Sequence, residues 1–289
     1  MALLPSLVTL PHVQFRKNPS FYLRYDGGWL LVFLAAHALI SLTHWKGLVT
    51  EVPLWSLVAF PFVCYAQILC SVFIHNASHG NFPKPVNRVL GEIFGIIVLT
   101  RFASWEIVHQ RHHQYSDDRD KDPHPLESSY WRYVWKTIVK VEEQLQAYYF
   151  DLWGKAPEVV RREKIRVYVS YATGIALIAL WYRFLGPLGF FVFFVPASVI
   201  GILHLIHFNW TTHNALSGTT NFHPVNLDEG YFKYGNLAFF GIYMHENHHK
   251  RVNLFNPAKW RPKVSDARLG AAPSDDEGNL VPVTAREGL

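Results

Sequence analysis

Apolar residues in this chain gather into long runs instead of alternating with polar ones, and the runs have the length of membrane-crossing helices. The first extends from Trp29 to Trp45 (WLLVFLAAHALISLTHW) and is flanked by tryptophans, the residues that favour a membrane surface. The second, Leu54 to Ile74, is close to the ~20 residues that cross a hydrocarbon core. A third, Ile165 to Phe184 (IRVYVSYATGIALIALWYRF), and a fourth, Leu188 to Phe208 (LGFFVFFVPASVIGILHLIHF), are separated only by Leu185, Gly186 and Pro187. The pattern predicts four spans in two helical hairpins, with both termini on one side.

Two weaker segments lie between the hairpins. Val89 to Ala103 is interrupted by Gly91, Glu92 and Gly95 and reads as a buried or interfacial helix rather than a span. Tyr130 to Leu152 mixes Trp, Tyr and Val with Lys136, Lys140, Glu142 and Glu143, the composition of a helix lying in the membrane interface. After Ala267 the chain is rich in Gly, Pro, Ser and acidic residues and is expected to be disordered. The expected fold is an all-α integral membrane protein: a single domain over 1–266, four transmembrane helices and a cytoplasmic helical cap, followed by a disordered tail over 267–289. The N-terminal Met-Ala-Leu-Leu, followed by Pro5 and Pro11, lacks the charged start and cleavage site of a secretory signal, and Ala2 stands where myristoylation needs glycine. Attachment to the membrane is therefore expected from internal spans.

Composition agrees with lipid contact, since half the residues are hydrophobic and only 17% are charged. Of the 27 Lys and Arg, only Lys46 and Arg183 fall in or beside the hairpin turns. The other 25 (27 − 2) share the side of the termini and the central loop, which the positive-inside rule makes cytoplasmic. That asymmetry accounts for the basic balance, and no stripe of interleaved basic and aromatic residues points to nucleic acid. Cys64 and Cys70 both sit in an apolar run and suggest small core residues, not a disulfide or a thiolate metal site.

Sixteen histidines give the chain its chemistry. Most cluster at the cytoplasmic ends of the expected spans: His75 and His79 in HNASH; His109, His112 and His113 in HQRHH; His245, His248 and His249 in HENHH. A fourth element, NWTTH, sets Asn209 and His213 four apart at the exit of the last span. An i, i+4 pair projects two imidazoles from one helical face, the spacing that lets them share a metal. An adjacent His-His pair cannot aim both rings at one point, so two H-x-x-H-H boxes favour two neighbouring ions. The box at 245–249 also reads as the H-E-x-x-H of a zinc protease with Glu246 as base, but such a site leaves most of the other histidines without a task. A metal transporter would place its ligands along a path near mid-membrane, whereas these lie at span ends. An all-imidazole set suits Zn, Cu, Fe or Ni. Beneath spans able to enclose an acyl chain it makes most sense for iron activating O₂ against an unactivated C–H bond.

Taken in order, HNASH, HQRHH and HENHH resemble the histidine boxes of the membrane fatty-acid desaturase and hydroxylase superfamily, the non-haem di-iron enzymes, over roughly residues 25 to 265. NWTTH is similar to the additional Asn-x-x-x-His element of the acyl-CoA desaturases, and DKDPH (120–124) to their Asp-x-Asp-Pro-His segment. The resemblance implies a metal-ligand set of His75, His79, His109, His112, His113, His213, His245, His248 and His249, with Asn209 contacting metal through water. It implies two iron ions and O₂ as cofactors and a lipid or fatty-acyl substrate. The reaction it implies is desaturation to an alkene, with hydroxylation and oxidative decarboxylation as alternatives. The setting it implies is a bacterial inner membrane or the endoplasmic reticulum. The chain departs from the pattern in three places. The first box has three intervening residues where the acyl-CoA desaturases have four, the H-P-G-G motif of a fused cytochrome b5 is absent, and the third box begins with His instead of Gln. Electrons are therefore expected from a separate protein of ferredoxin, rubredoxin or cytochrome b5 type. Of the other histidines, His204 and His207 are out of phase with Asn209 and suit packing, His37 and His44 suit hydrogen bonds between helices, and His124 is an outer-sphere or surface candidate.

Overall fold

The computed structural model describes residues 9–218 and 220–261, so the expected disordered tail at 267–289 lies outside the described residues. The chain through Ala258 forms one compact unit, and of the second unit, Lys259–Leu289, only residues 259–261 are described. Regular structure among the described residues is helical: α1 (Pro11–Phe15), α2 (Phe21–Leu42), α3 (Phe60–Ser78), α4 (Lys84–Ile97), α5 (Phe102–Gln114), α6 (Tyr130–Trp153), α7 (Pro157–Gly189), α8 (Val195–Thr212), α9 (Tyr231–Ala238) and α10 (His245–Lys250). Proline occupies the first turn of α1, α3, α4, α7 and α8, where its missing N–H has no intrahelical partner to lose.

Among the described residues, three stretches are long and apolar enough to cross a membrane: Phe21–Leu42, Leu54–Ser78 and the 56-residue run Pro157–Thr212. Their outward faces carry Leu31, Leu39, Trp55, Phe62 and Ile175, all exposed, an arrangement suited to lipid. The expected third and fourth apolar segments both fall within the last run, on either side of a break at Gly186 (φ 79°, ψ 161°), a conformation essentially restricted to glycine. Across it the rings of Trp181 and Phe194 stack with centroids 4.7 Å apart. Straight helix would separate these residues by roughly 20 Å. Gly47 packs against the same break so closely that a Cβ on it would lie 2.6 Å from the Gly186 Cα. There Leu48 and Val49 donate their N–H groups to Phe184 O (2.8 Å) and Leu185 O (2.9 Å).

The expected single helix over 89–103 is in fact two. α4 ends at Ile97, Leu99 turns through a left-handed φ of 56°, and α5 starts at Phe102. The chain folds back so tightly that a Cβ on Gly95 would lie 2.4 Å from the carbonyl oxygen of Thr100. The glycines that weakened the apolar pattern are thus there for close packing, not for a single interfacial helix. The segment expected as an interfacial helix is the helix α6, on which Tyr133, Leu145 and Tyr149 turn inward while Trp131, Trp135 and Ile138 face outward.

Buried charge pins α5, the helix that carries the second histidine box. Arg101, at its N-cap, donates to Asp26 of α2 at 3.0 Å. Asp26 also accepts from Ser170 of α7, whose neighbour Arg166 pairs with Glu142 and Glu163. On the next turn Glu106, fully buried, accepts from the backbone N–H of His12 at 2.7 Å and contacts its ring, tying α1 to α5. Buried charges of this kind are costly unless paired, and each here has its partner.

Candidate metal centre

The nine histidines singled out in the sequence converge into two adjacent groups. His75, His79, His109, His113 and His248 form one, and His112, His213, His245 and His249 the other, with one ligand atom per residue and all such atoms of a group within 4.8 Å of one another. Both adjacent pairs are divided between the groups: His112 and His113 part company, as do His248 and His249. The cause is helical geometry, because consecutive side chains on a helix point about 100° apart. Asn209 is buried on α8 one turn before His213.

Within each group the Nε2 atoms face one another. His109 Nε2 lies 2.9 Å from His79 Nε2 and 3.2 Å from His113 Nε2, while His245 Nε2 lies 3.0 Å from that of His213 and 3.1 Å from that of His249. One proton on His109 or on His245 can serve only one of its two contacts. A cation between the lone pairs would satisfy them together. Two further Nε2 atoms, of His75 and His112, are buried with no hydrogen-bond partner, which is expensive unless a ligand takes them. The donor set therefore fits transition-metal ions. Burial, reinforced by neighbouring imidazoles, holds His79, His109, His112, His113, His245, His248 and His249 well below the ordinary imidazole value. They are neutral near pH 7 and offer lone pairs, the form a metal requires.

Two carboxylates that sequence reasoning did not single out stand behind this site. Asp122 lies 2.9 Å from His112 Nδ1, and Asp117 lies 3.0 Å from His213 Nδ1. Burial pushes the Asp122 carboxyl up to about 8, against the pull of backbone N–H donors from His124 and Asp117. Burial also raises Asp117, but the combined pull of its contacts with His213 and Ser116 and of the nearby His249 leaves it below the usual carboxylate value. The DKDPH segment contained Asp122, yet nothing in its spacing indicated a bond to a histidine ten residues earlier. His124 stacks on His112 with centroids 4.0 Å apart. Away from the clusters, His204 Nε2 lies 3.1 Å from the Tyr243 hydroxyl, and His37 of α2 bonds the Ala176 carbonyl of α7 at 2.9 Å, as suits packing roles. Glu246 is half-exposed, accepts from Lys250 at 2.6 Å and from Asn226 at 3.1 Å, and points to neither group.

Among the described residues, helical regular structure, three apolar stretches of spanning length and two adjacent imidazole clusters capable of holding metal define a membrane-bound, metal-using class of protein. The chain belongs to the fatty acid desaturase family, which its residues 51–254 match. Among curated proteins it is similar to the sn-1 oleoyl-lipid 12-desaturase of Anabaena variabilis, with 27% identity over 124 residues covering 41% of this chain and 33% of that one. It is also similar to the sn-1 oleoyl-lipid 12-desaturase of a Picosynechococcus species, with 27% identity over 126 residues covering 40% and 32%. The chain thus spans about a third of the length of the curated relatives it matches. No solved structure matches it.

Proposed function

We propose that the protein is a four-span membrane oxidoreductase that uses two iron ions, held by the two histidine groups, to desaturate a lipid acyl chain on the cytoplasmic side. The convergence of nine imidazoles into two adjacent groups carries this reading. In it the break at Gly186 divides the long apolar run into two antiparallel spans, supported by the Trp181–Phe194 stack.

His75, His79, His109, His113 and His248 would hold one ion, and His112, His213, His245 and His249 the other, with Asn209 reaching the metal through water. Bound iron would supply the activation of O₂ needed to break an unactivated C–H bond. The chain's own residues keep the donors neutral and dry and position the substrate. An apolar crevice lined by Val72, Phe239, Ile242 and Phe255 touches His75 and His248; at about 10 Å³ it is too small for an acyl chain as it stands and marks only an apolar approach to the site. A groove of about 470 Å³ beside His124, lined by Arg119, Lys136 and Lys140, suits an anionic head group. The overall change, –CH₂–CH₂– plus O₂, two electrons and two protons giving –CH=CH– and two waters, draws its electrons from a separate donor protein of ferredoxin, rubredoxin or cytochrome b5 type.

Expression in a host membrane, with fatty-acid analysis by mass spectrometry, tests the reading. The wild type should introduce a double bond and the His109→Ala variant should not. Hydroxylated products, terminal alkenes one carbon shorter, or an unchanged lipid profile with the wild type would each overturn desaturation.

A further inference from the structure

The two histidine groups are not alike in what stands behind them. His112 and His213, both of the four-member group, present Nδ1 to the carboxylates of Asp122 (2.9 Å) and Asp117 (3.0 Å). Among the described residues, no carboxylate forms a hydrogen bond or ion pair with any imidazole of the five-member group, whereas two do so in the four-member group.

The carboxylates are part of a built arrangement. Both come from the loop after α5, where Asp117 takes a left-handed φ of 62° and its backbone N–H donates to Asp122 at 2.6 Å. The His124 N–H donates to the other Asp122 oxygen at 2.8 Å, so two backbone bonds hold that carboxylate against His112. Asp117 reaches across to His213 at the end of α8. The side chains of Asp122, His112, His213 and Asp117 are all at most 10% exposed.

Each of these imidazoles presents its Nδ1 to a carboxyl oxygen, which leaves its Nε2 facing the group and available for metal. The same bond fixes ring orientation and raises the basicity of the ligand. Both of these contacts stand behind the four-member group and none behind the other.

We propose that Asp117 and Asp122 make the two metal sites unequal, the carboxylate-backed group binding its ion more tightly and favouring its higher oxidation state. The inference rests on reading the groups as metal sites, and Asp117 and Asp122 are positioning residues in it.

The full chain, purified in detergent and loaded anaerobically with isotopically enriched ferrous iron, allows iron content and Mössbauer spectra to be read together. The wild type should hold about two irons per chain, as a two-metal site requires, and give two distinct quadrupole doublets of equal area. Asp117→Asn, which leaves the backbone bonds to Asp122 in place, should alter one doublet and leave the other unmoved. It should also weaken one of the two binding steps by roughly 10- to 100-fold, the usual effect of losing an outer partner. Asp122→Asn should alter the same doublet. A single doublet in the wild type, or doublets that move together or not at all in Asp117→Asn, would overturn the inequality while leaving the metal sites standing. A wild type without bound iron would overturn the metal reading itself.

Discussion

The Nε2 atom of His79, at the end of α3, lies 2.9 Å from the Nε2 atom of His109 on α5. Two imidazole lone pairs at that distance repel unless a proton or a cation lies between them, and His109 faces His113 in the same way. Metal is therefore expected to stabilise the fold as well as serve the reaction. Chelation should lower the thermal midpoint in detergent and re-addition of ferrous iron should restore it. An ion present at a hundred times its Kd contributes about 2.7 kcal/mol. An unchanged midpoint after verified metal removal would refute this.

Ligand substitutions should act on one group at a time. His109→Ala should deplete the five-member group and His245→Ala the four-member group, each lowering iron towards one per chain. Either should cost more activity than the roughly 10- to 100-fold that follows loss of an outer partner. His204→Phe, which removes the contacts to the Tyr243 and Tyr231 hydroxyls, should leave iron content at the wild-type level. Elemental analysis of the three variants decides the matter.

Glu246→Gln separates this chemistry from proteolysis. Because Glu246 is half-exposed and paired with Lys250, its neutralisation should change stability by no more than about 1 kcal/mol and turnover by less than about twofold. A zinc protease would lose its general base and nearly all its activity. Turnover and iron content measured on the same preparation distinguish the two.

Gly91→Ala probes the seat of α5. A Cβ at this position would lie 2.7 Å from the ring of Phe102, which is fully buried at the start of that helix. Overpacking of this kind costs roughly 1–3 kcal/mol. A lower thermal midpoint is expected, with the metal stoichiometry of the folded fraction retained.

Glu92 should give stability a falling limb at acid pH. Burial pushes its carboxyl up to about 6, against the help of Tyr25 and Arg88, from an ordinary 4.5. The folded chain therefore holds this proton more tightly than the unfolded chain. Stability is greatest below the unfolded value and declines as pH rises from about 4.5 to about 6, by on the order of 2 kcal/mol. Glu92→Gln should flatten that limb in thermal scans, and an unaltered slope would count against the assignment.

Much of the architecture was legible in the order of residues. Apolar runs of spanning length and the i, i+4 spacing within each box are local patterns, and local hydrogen bonding and side-chain phase suffice to express them. The same phase explains why His112 and His113 were never going to serve one ion. The break within 89–103 was harder to read: glycine weakens a helical pattern in the same way whether it marks flexibility or a close approach, and only the nearness of the Thr100 carbonyl to Gly95 shows which. His12 carried no pattern at all, because its partner Glu106 lies 94 residues away.

What the sequence determined by itself was the inventory: which helices form, which imidazoles are available, and that adjacent ones point apart. Tertiary structure decided the partition, setting His248 with His75 and His249 with His213, and it alone brought Asp117 and Asp122 behind one group. Those choices depend on how helices distant in the chain cross and pack, and a crossing is fixed by burial and shape on both helices at once.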